Sequence, residues 1–350
     1  DLSTNPADKI LPSSEGGVPG GIPWFAISSI SESPAANGVI WAGTSDGNVQ
    51  LTRDNGQTWK NVTPAVTAAG GRADAYVSRV RASVHAAGRA YLAKNGYKFD
   101  DFHPYLYRTD DFGETWRSIV SSLPNEPINV IVEDLKNPAL LFVGNDSGVF
   151  VSIDAGARWV RMNNNVPSVP VHDMLIHPRE NDLVLGTYGR DLWITNIEPL
   201  QEIDAALLQK DAHLFRIQDT VQRVTWQFAA NDYLFGQRHL QTPNDTPGMV
   251  IRYYLKQPLS APPSVVVTDG SGKEWARIPG RNAAGISAVV WTMRPPGSGR
   301  GGRGNAVTEL APLGEYTVTL EMGSTKLTEK AHVTHTHGWS LAPSPSIIRK

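Results

Sequence analysis

The chain has 350 residues, a formal net charge of −2 and 19% charged residues, so bulk electrostatics direct it neither to nucleic acid nor to an anionic membrane. It has no cysteine, which excludes disulfides, thiolate metal sites and a cysteine nucleophile. With 32 Gly, 25 Pro and 10 Trp and little helix-type periodicity, it reads as many short strands joined by turns, and no apolar run approaches membrane-spanning length.

Four related units follow one another from residue 24 to residue 199. Each begins with an alternating segment: WFAISSISESP, YVSRVRASVH, INVIVEDLKNP and VHDMLIHPREN. Each continues with an apolar run, a polar turn and a second run, as in VIWAGTSDGNVQL, RAYLAKNGYKFDDFHPYLY, LLFVGNDSGVFV and DLVLGTYGRDLWIT. The first three then carry a box: TRDNGQTW (Thr52 to Trp59), TDDFGETW (Thr109 to Trp116) and SIDAGARW (Ser152 to Trp159). The box aspartates at 54, 111 and 154 are 57 and 43 positions apart, and the longer loop of the second unit accounts for the wider interval. Three strands before the box and one after it give four-stranded units of propeller-blade size, with the fourth unit incomplete.

Every position of the box has a structural use. Gly56, Gly113 and Gly156 suit backbone with positive φ, and Asp54, Asp111 and Asp154 can accept hydrogen bonds from N–H groups across a turn. Trp59, Trp116 and Trp159 can bury a large area against a neighbouring unit. A catalytic acid is needed once per site rather than once per repeat, and Arg158 replaces the usual Thr without disturbing the rest of the third box. The box is therefore read as scaffold.

Beyond Pro199 the pattern changes. LQEIDAALLQKDAHLF (Leu200 to Phe215) is read as holding one short helix, and residues 200–248 as a polar connector. Residues 249–337 form a second all-β unit, in which Tyr316, Val318, Leu320 and Met322 share one face of a half-buried strand. About 90 residues with turns at DGSG and PLGE suggest a small immunoglobulin-like sandwich. PPGSGRGGRGN (Pro295 to Asn305) is read as a loop, with Arg294, Arg300 and Arg303 in and beside it, and residues 338–350 as a tail.

The boxes, together with the order of VIWAGTSDGNVQL, PYLYRTDDFGETW, LFVGNDSGVFV and GTYGRDLWI, resemble the Asp-box (BNR) repeat of sialidases, xyloglucanases and the sortilin family. The match is nearest to bacterial sortilin-type propellers, often labelled glycosyl hydrolases. The resemblance implies an all-β fold, a partial β-propeller of about four blades followed by an immunoglobulin-like sandwich. It also implies a secreted, periplasmic or cell-surface bacterial protein and further blades upstream. The chain, which opens on Asp1, is accordingly read as the C-terminal portion of a larger propeller, completed by an N-terminal segment or companion chain.

No cofactor is implied, and function is read as non-catalytic binding or assembly, engaging a protein, peptide or glycan through a propeller face. The alternatives are a glycoside hydrolase with its site partly outside this chain, or a structural component of an extracellular complex. A hydrolase needs two carboxylates flanking a sugar cleft, for which Asp100, Asp101, Asp173 and Glu180 are available. The sialidase signature F/Y-R-I-P is misplaced, since FRIQ (Phe215 to Gln218) follows all the boxes and ARIPG (Ala276 to Gly280) lies in the second unit. If a binding site exists, its residues are His172 and Asp173, at the start of an innermost strand, with Tyr188 and Arg190, in the turn after the next one. The alternative for each is a hydrogen bond to a neighbouring blade or a local ion pair. His335 and His337 fall on one strand face at a spacing a metal could use, but a surface or tail role is favoured and no metal is expected.

Overall fold

The computed structural model describes residue 2 and residues 26–163, 165–222, 248–294 and 310–335. Arg300, Arg303, His337, the tail 338–350 and much of the connector lie outside the described residues. The chain divides into two compact units, Asp1–Asp204 and Ala205–Lys350. Among the described residues no helix is long and apolar enough to cross a membrane.

The first unit is a succession of antiparallel sheets, each formed by consecutive strands. Sheet 1 contains β1 (Ile27–Glu32), β2 (Ile40–Thr44), β3 (Val49–Thr52) and β4 (Lys60–Asn61), followed by the short helix α1 (Thr63–Ala68). Sheet 2 contains β5 (Tyr76–Ala82), β6 (Ala90–Gly96), β7 (Asp101–Thr109) and β8 (Arg117–Ser118). Sheet 3 contains β9 (Ile128–Glu133), β10 (Leu141–Asn145), β11 (Gly148–Ser152) and β12 (Val160–Arg161). Sheet 4 has only β13 (Val171–His177), β14 (Asp182–Thr187) and β15 (Leu192–Asn196). The strand positions follow the repeat, with the box lying between the third and fourth strands of sheets 1 to 3.

Alternation along the strands sends side chains to both faces of each sheet, and both faces of the middle sheets are apolar. Trp41 and Leu51 of sheet 1 pack with Val80 and Leu92 of sheet 2. The opposite face of sheet 2, with Tyr91 and Leu106, packs with Ile131 and Leu141 of sheet 3. The other face of sheet 3, with Val130 and Phe142, packs with Met174 and Leu183 of sheet 4. Sheets therefore stack face to face in chain order, an arc of propeller blades. Close approach needs glycine where sheets nearly touch. A Cβ on Gly43 would lie 2.2 Å from Val77 Cγ1 of the next sheet, and one on Gly144 would lie 2.9 Å from Val171 Cγ1 of the sheet after its own.

A register shift recurs at the start of the first strand of every sheet: between Ile27 and Ser29, between Val77 and Arg79, opposite Gly144/Asn145 in sheet 3, and between Val171 and Asp173. Such bulges leave one residue unpaired and re-aim its side chain. The bulged residues are Ser28, Ser78, Asn129 and His172.

The second unit consists of two sheets. One has the order β16 (Ala212–Leu214), β18 (Met249–Leu255), β21 (Gly285–Trp291). The other has the order β17 (Thr220–Val221), β23 (Thr325–Thr334), β22 (Gly314–Met322), β19 (Ser264–Asp269), β20 (Glu274–Pro279). Inward residues of both, among them Tyr253, Trp291, Val267 and Val318, form one core. The stretch 200–248, expected to be a connector with one helix, begins within α2 (Glu198–Glu202) and a single 3₁₀ turn at Leu207–Gln209, and contributes β16 and β17 to these sheets. Two or three residues of strand carry too little alternation to be read from sequence.

Candidate functional site

The three boxes fold alike. In the first, the Thr52 hydroxyl donates to Asp54 Oδ1 (2.7 Å) and accepts from the Gly56 N–H (2.9 Å). Asp54 Oδ1 also accepts from the Thr58 N–H (2.9 Å), while Oδ2 accepts from the Thr58 hydroxyl (2.5 Å). These bonds, led by the Thr58 hydroxyl, hold the Asp54 carboxyl down at about 2. Asp111 has the same partners in Thr109 and Thr115. In the third box Asp154 Oδ1 accepts from the Ser152 hydroxyl and the Arg158 N–H, and Arg158 brings no hydroxyl to Oδ2. The residue after each aspartate is left-handed: Asn55, Phe112 and Ala155 have φ of 57°, 58° and 57°, and a glycine with positive φ follows each. Each of these three residues also donates its N–H to a carbonyl in its own sheet's first hairpin, Gly38, Gly88 and Ala139.

The box tryptophans reach backwards. Trp116 of sheet 2 meets Trp41 of sheet 1 edge-on, with ring centroids 5.8 Å apart. Trp159 of sheet 3 donates its Nε1–H to the Ile119 carbonyl after β8, at 2.7 Å. Both are buried, whereas Trp59 of the first box is only half-buried. A cavity of about 330 Å³ lies beside the third box, lined by Arg117, Ser118, Ile119, Ser121 and residues 154–157.

The four residues proposed for a site fall together at one end of sheet 4. The rings of His172 and Tyr188 are 5.7 Å apart. His172, Asp173, Tyr188 and Arg190 are all exposed, and the Arg190 carbonyl accepts from Trp193 Nε1–H. Sequence reasoning missed their charged neighbours. Arg79 Nη2 of β5 donates to Asp173 Oδ1 at 2.6 Å, an ion pair between sheets 2 and 4. Sheet 3 lies between those two sheets, so the first strands converge on the inside of the arc. Arg81, two residues further along β5, is half-buried beside them; its guanidinium is pushed down first by burial and then by the Arg79 charge, with Asp173 and Glu133 opposing. The only sequence signal for this pair is the alternation S-R-V-R in β5, in which valine faces a neighbouring sheet and arginine does not.

His172 stands at the bulged position. In sheets 1 and 2 the bulged serine donates to the first strand of the next sheet, Ser28 to the Val77 carbonyl (2.7 Å) and Ser78 to the Ile128 carbonyl (2.6 Å). In sheet 3 Asn129 instead donates to Asp146 (2.9 Å) and accepts from Asn95 (3.2 Å).

Three of the four hydrolase carboxylates, Asp101, Asp173 and Glu180, are engaged by other side chains. Asp101 accepts from the Tyr105 hydroxyl (2.7 Å) and pairs with Arg72, and Glu180 pairs with Arg179. The exposed hairpin tip that holds Asp100 and Asp101 also displays Tyr97 and Phe102. Lys94 is buried between sheets 1 and 2, its ammonium donating to the carbonyls of Gly47 (3.0 Å), Arg72 (2.5 Å) and Ala73 (3.0 Å). Burial pushes it down to about 8, against the pull of Asp74 and Asp46. In the second unit His335 is exposed just past β23, and His332 lies 3.1 Å from Asp219. No group of three metal-ligating side chains occurs among the described residues. Arg277 of the ARIPG stretch is paired with Glu274 and Glu321.

No family model matches the sequence. No curated protein matches it either. Among solved structures it is similar to YCF48 from Cyanidioschyzon merolae, with 18% identity and a TM-score of 0.35 over 49% of this chain and 56% of that one. It is similar to a GH74 xyloglucanase from Xanthomonas campestris, with 13% identity and a TM-score of 0.38 over 86% of this chain and 38% of that one. A structure of YCF48 bound to D1 peptide shares 12% identity and a TM-score of 0.33, over 87% and 81% of the two chains. At these levels of likeness the reading of the fold rests on the stacked sheets themselves.

Proposed function

We propose that the chain is a non-catalytic binding or assembly protein, and that it engages a protein, peptide or glycan through the propeller face formed by the inner ends of sheets 2 and 4. His172, Asp173, Tyr188 and Arg190 supply the contact groups, with Arg79 and Arg81 behind them. In this reading the chain belongs with the bacterial sortilin-like Asp-box proteins, outside the cytoplasm. Its second unit is the immunoglobulin-like module, and the box aspartates, glycines and tryptophans are scaffold.

The observation that carries the reading is the state of the carboxylates. A glycoside hydrolase needs one acid held protonated, with a raised pKa, opposite a second carboxylate. Asp173 is instead ion-paired with Arg79 at 2.6 Å, and Asp101 is lowered: burial would raise it, but hydrogen bonds from Tyr105 and His103 and its pair with Arg72 outweigh that. An exposed rim of imidazole, phenol, guanidinium and carboxylate suits recognition of a polar ligand rather than bond cleavage. The test is turnover on a panel of plant and bacterial glycans, alongside binding to peptide and glycan arrays. Retention lost on Tyr188→Ala and Arg190→Ala without any turnover supports the proposal. Turnover abolished by Asp101→Asn or Asp173→Asn overturns it.

A further inference from the structure

The gap between sheets 1 and 2 and the gap between sheets 2 and 3 share one plan, and the box of the later sheet borders each. A Cβ on Gly113 would lie 3.0 Å from Val62 Cγ1, and one on Gly156 would lie 3.0 Å from Ile119 Cβ. The box turns therefore rest on equivalent residues, just after β4 and β8. Pairing of Leu51 with Lys60 and of Arg108 with Arg117 makes Lys60 and Arg117 equivalent as well. What fills the two gaps differs.

In the first gap, Lys60 Nζ of sheet 1 pairs with Glu114 Oε1 of the second box at 2.5 Å. The Phe112 ring packs on the core shared by sheets 1 and 2, with the Arg53 guanidinium 4.0 Å from its centroid. In the third box alanine stands at both places, Ala155 for Phe112 and Ala157 for Glu114. A ring and a carboxylate are thereby missing from the second gap, and both alanines border the cavity of about 330 Å³. Arg117, which also borders it, has no ion-pair partner nearer than Asp110 Oδ2, at 3.9 Å, among the described residues. Asp110 is itself held at 2.7 Å by both Arg89 and Arg108. Asp154 is a further wall residue. It keeps Oδ1 for the Ser152 hydroxyl and the Arg158 N–H, and among the described residues no donor reaches Oδ2.

We propose that this cavity is a binding site for a small zwitterion, an α-amino acid with an apolar or aromatic side chain. Its carboxylate takes the place of Glu114 and pairs with Arg117. Its side chain takes the place of the Phe112 ring, beside Ala155. Its ammonium donates to Asp154 Oδ2, the acceptor that a threonine hydroxyl fills in the first two boxes. One guanidinium and one carboxylate on the wall call for one group of each charge on the occupant, and the volume suits a small ligand. The box remains scaffold, because Oδ1 still carries its turn. None of the wall residues belongs to the rim of His172, Asp173, Tyr188 and Arg190, so either site can fail without the other.

The experiment titrates L-phenylalanine into the intact chain, followed by calorimetry and by amide shifts in heteronuclear NMR spectra. Saturable binding is expected, with shifts at the Ser118, Ala155 and Ala157 amides. Hydrocinnamate, which lacks the ammonium, and phenethylamine, which lacks the carboxylate, are each expected to bind at least about tenfold more weakly. Ala157→Glu restores the ion pair of the first gap across the cavity. It is expected to weaken phenylalanine binding by about tenfold or more while the melting temperature holds or rises. Arg117→Gln, at a largely exposed side chain, gives the same direction if the glutamate variant unfolds. Absence of saturable binding up to about 10 mM, or shifts confined to other sheets, overturns the proposal. So does either analogue binding as tightly as phenylalanine, or binding unchanged in both variants.

Discussion

Arg79 and Asp173 occupy equivalent positions, each just after the bulge of its first strand and opposite Ala93 and Gly186 respectively, yet they belong to sheets that are not neighbours. Their 2.6 Å contact ties the inside of the arc together. Asp173 has a largely exposed side chain (71%), so solvent screens the pair. A double-mutant cycle with Arg79→Ala and Asp173→Ala, read by urea unfolding, is expected to give a coupling of less than about 1 kcal/mol. A larger coupling would mean that the pair sets the curvature of the sheets rather than decorating it.

The third box offers a gain. Asp54 and Asp111 each accept a threonine hydroxyl at Oδ2, and Asp154 has Arg158 in that place. Arg158→Thr is expected to stabilise the chain by about 0.5–1 kcal/mol, the net worth of one exposed hydrogen bond. Asp111→Ala is expected to destabilise by about 1–2 kcal/mol. The pH dependence follows from the sign of the shift at Asp54, whose carboxyl sits at about 2 when folded. Its contribution is complete above the unfolded value near 4 and is lost as pH falls through 2. Acid titration of Asp54→Asn against the parent chain checks this, with the difference vanishing at the acid end.

The stacked sheets were legible because the box repeats its residues at each hairpin, and because the strands alternate with the period of a sheet. The incomplete fourth unit was legible for the same reason, from the missing box after Thr195. His172, Asp173, Tyr188 and Arg190 were placed together by counting strands from a repeat. Their partners Arg79 and Arg81 were not, because the register shift between Val77 and Arg79 decides where those arginines point, and a bulge leaves no mark in composition. The same shift puts His172 where Ser28 and Ser78 reach the next sheet, so its position is set by the fold as much as by any ligand. In the second unit, β16 and β17 are too short for periodicity to register, and pairing with distant strands alone makes them strands.

Two tryptophans of the same motif should respond differently to loss of the indole N–H. Trp159 Nε1 donates to the Ile119 carbonyl, and Trp116 Nε1 is buried without a partner. Both rings fill a contact with the preceding sheet, so replacement by phenylalanine removes similar area from each. Trp159→Phe in addition leaves a carbonyl unpaired, a loss of about 1–3 kcal/mol that Trp116→Phe does not incur. Equal destabilisation of the two variants in urea would show that ring area alone governs these contacts.

Lys94 sets a slope on the alkaline side. Its folded value of about 8 lies below the unfolded value near 10.4, so between these the unfolded chain binds more protons than the folded one. Stability from this group therefore rises as pH increases from about 8, and is complete above about 10.4. The full span amounts to about 3 kcal/mol. Tyr91, Tyr105 and Tyr107 are all raised by burial, so their contributions run the other way once pH passes about 10. Comparison of the chain with Lys94→Met from pH 7.5 to about 9.5 isolates the lysine, because the tyrosines are common to both. The parent chain is expected to gain on the variant across that window. At pH 7.5, however, Lys94→Met strands the carbonyls of Gly47, Arg72 and Ala73 and should be the less stable of the two. A parallel pair of curves would mean that the three carbonyls, not burial, fix the ammonium's proton.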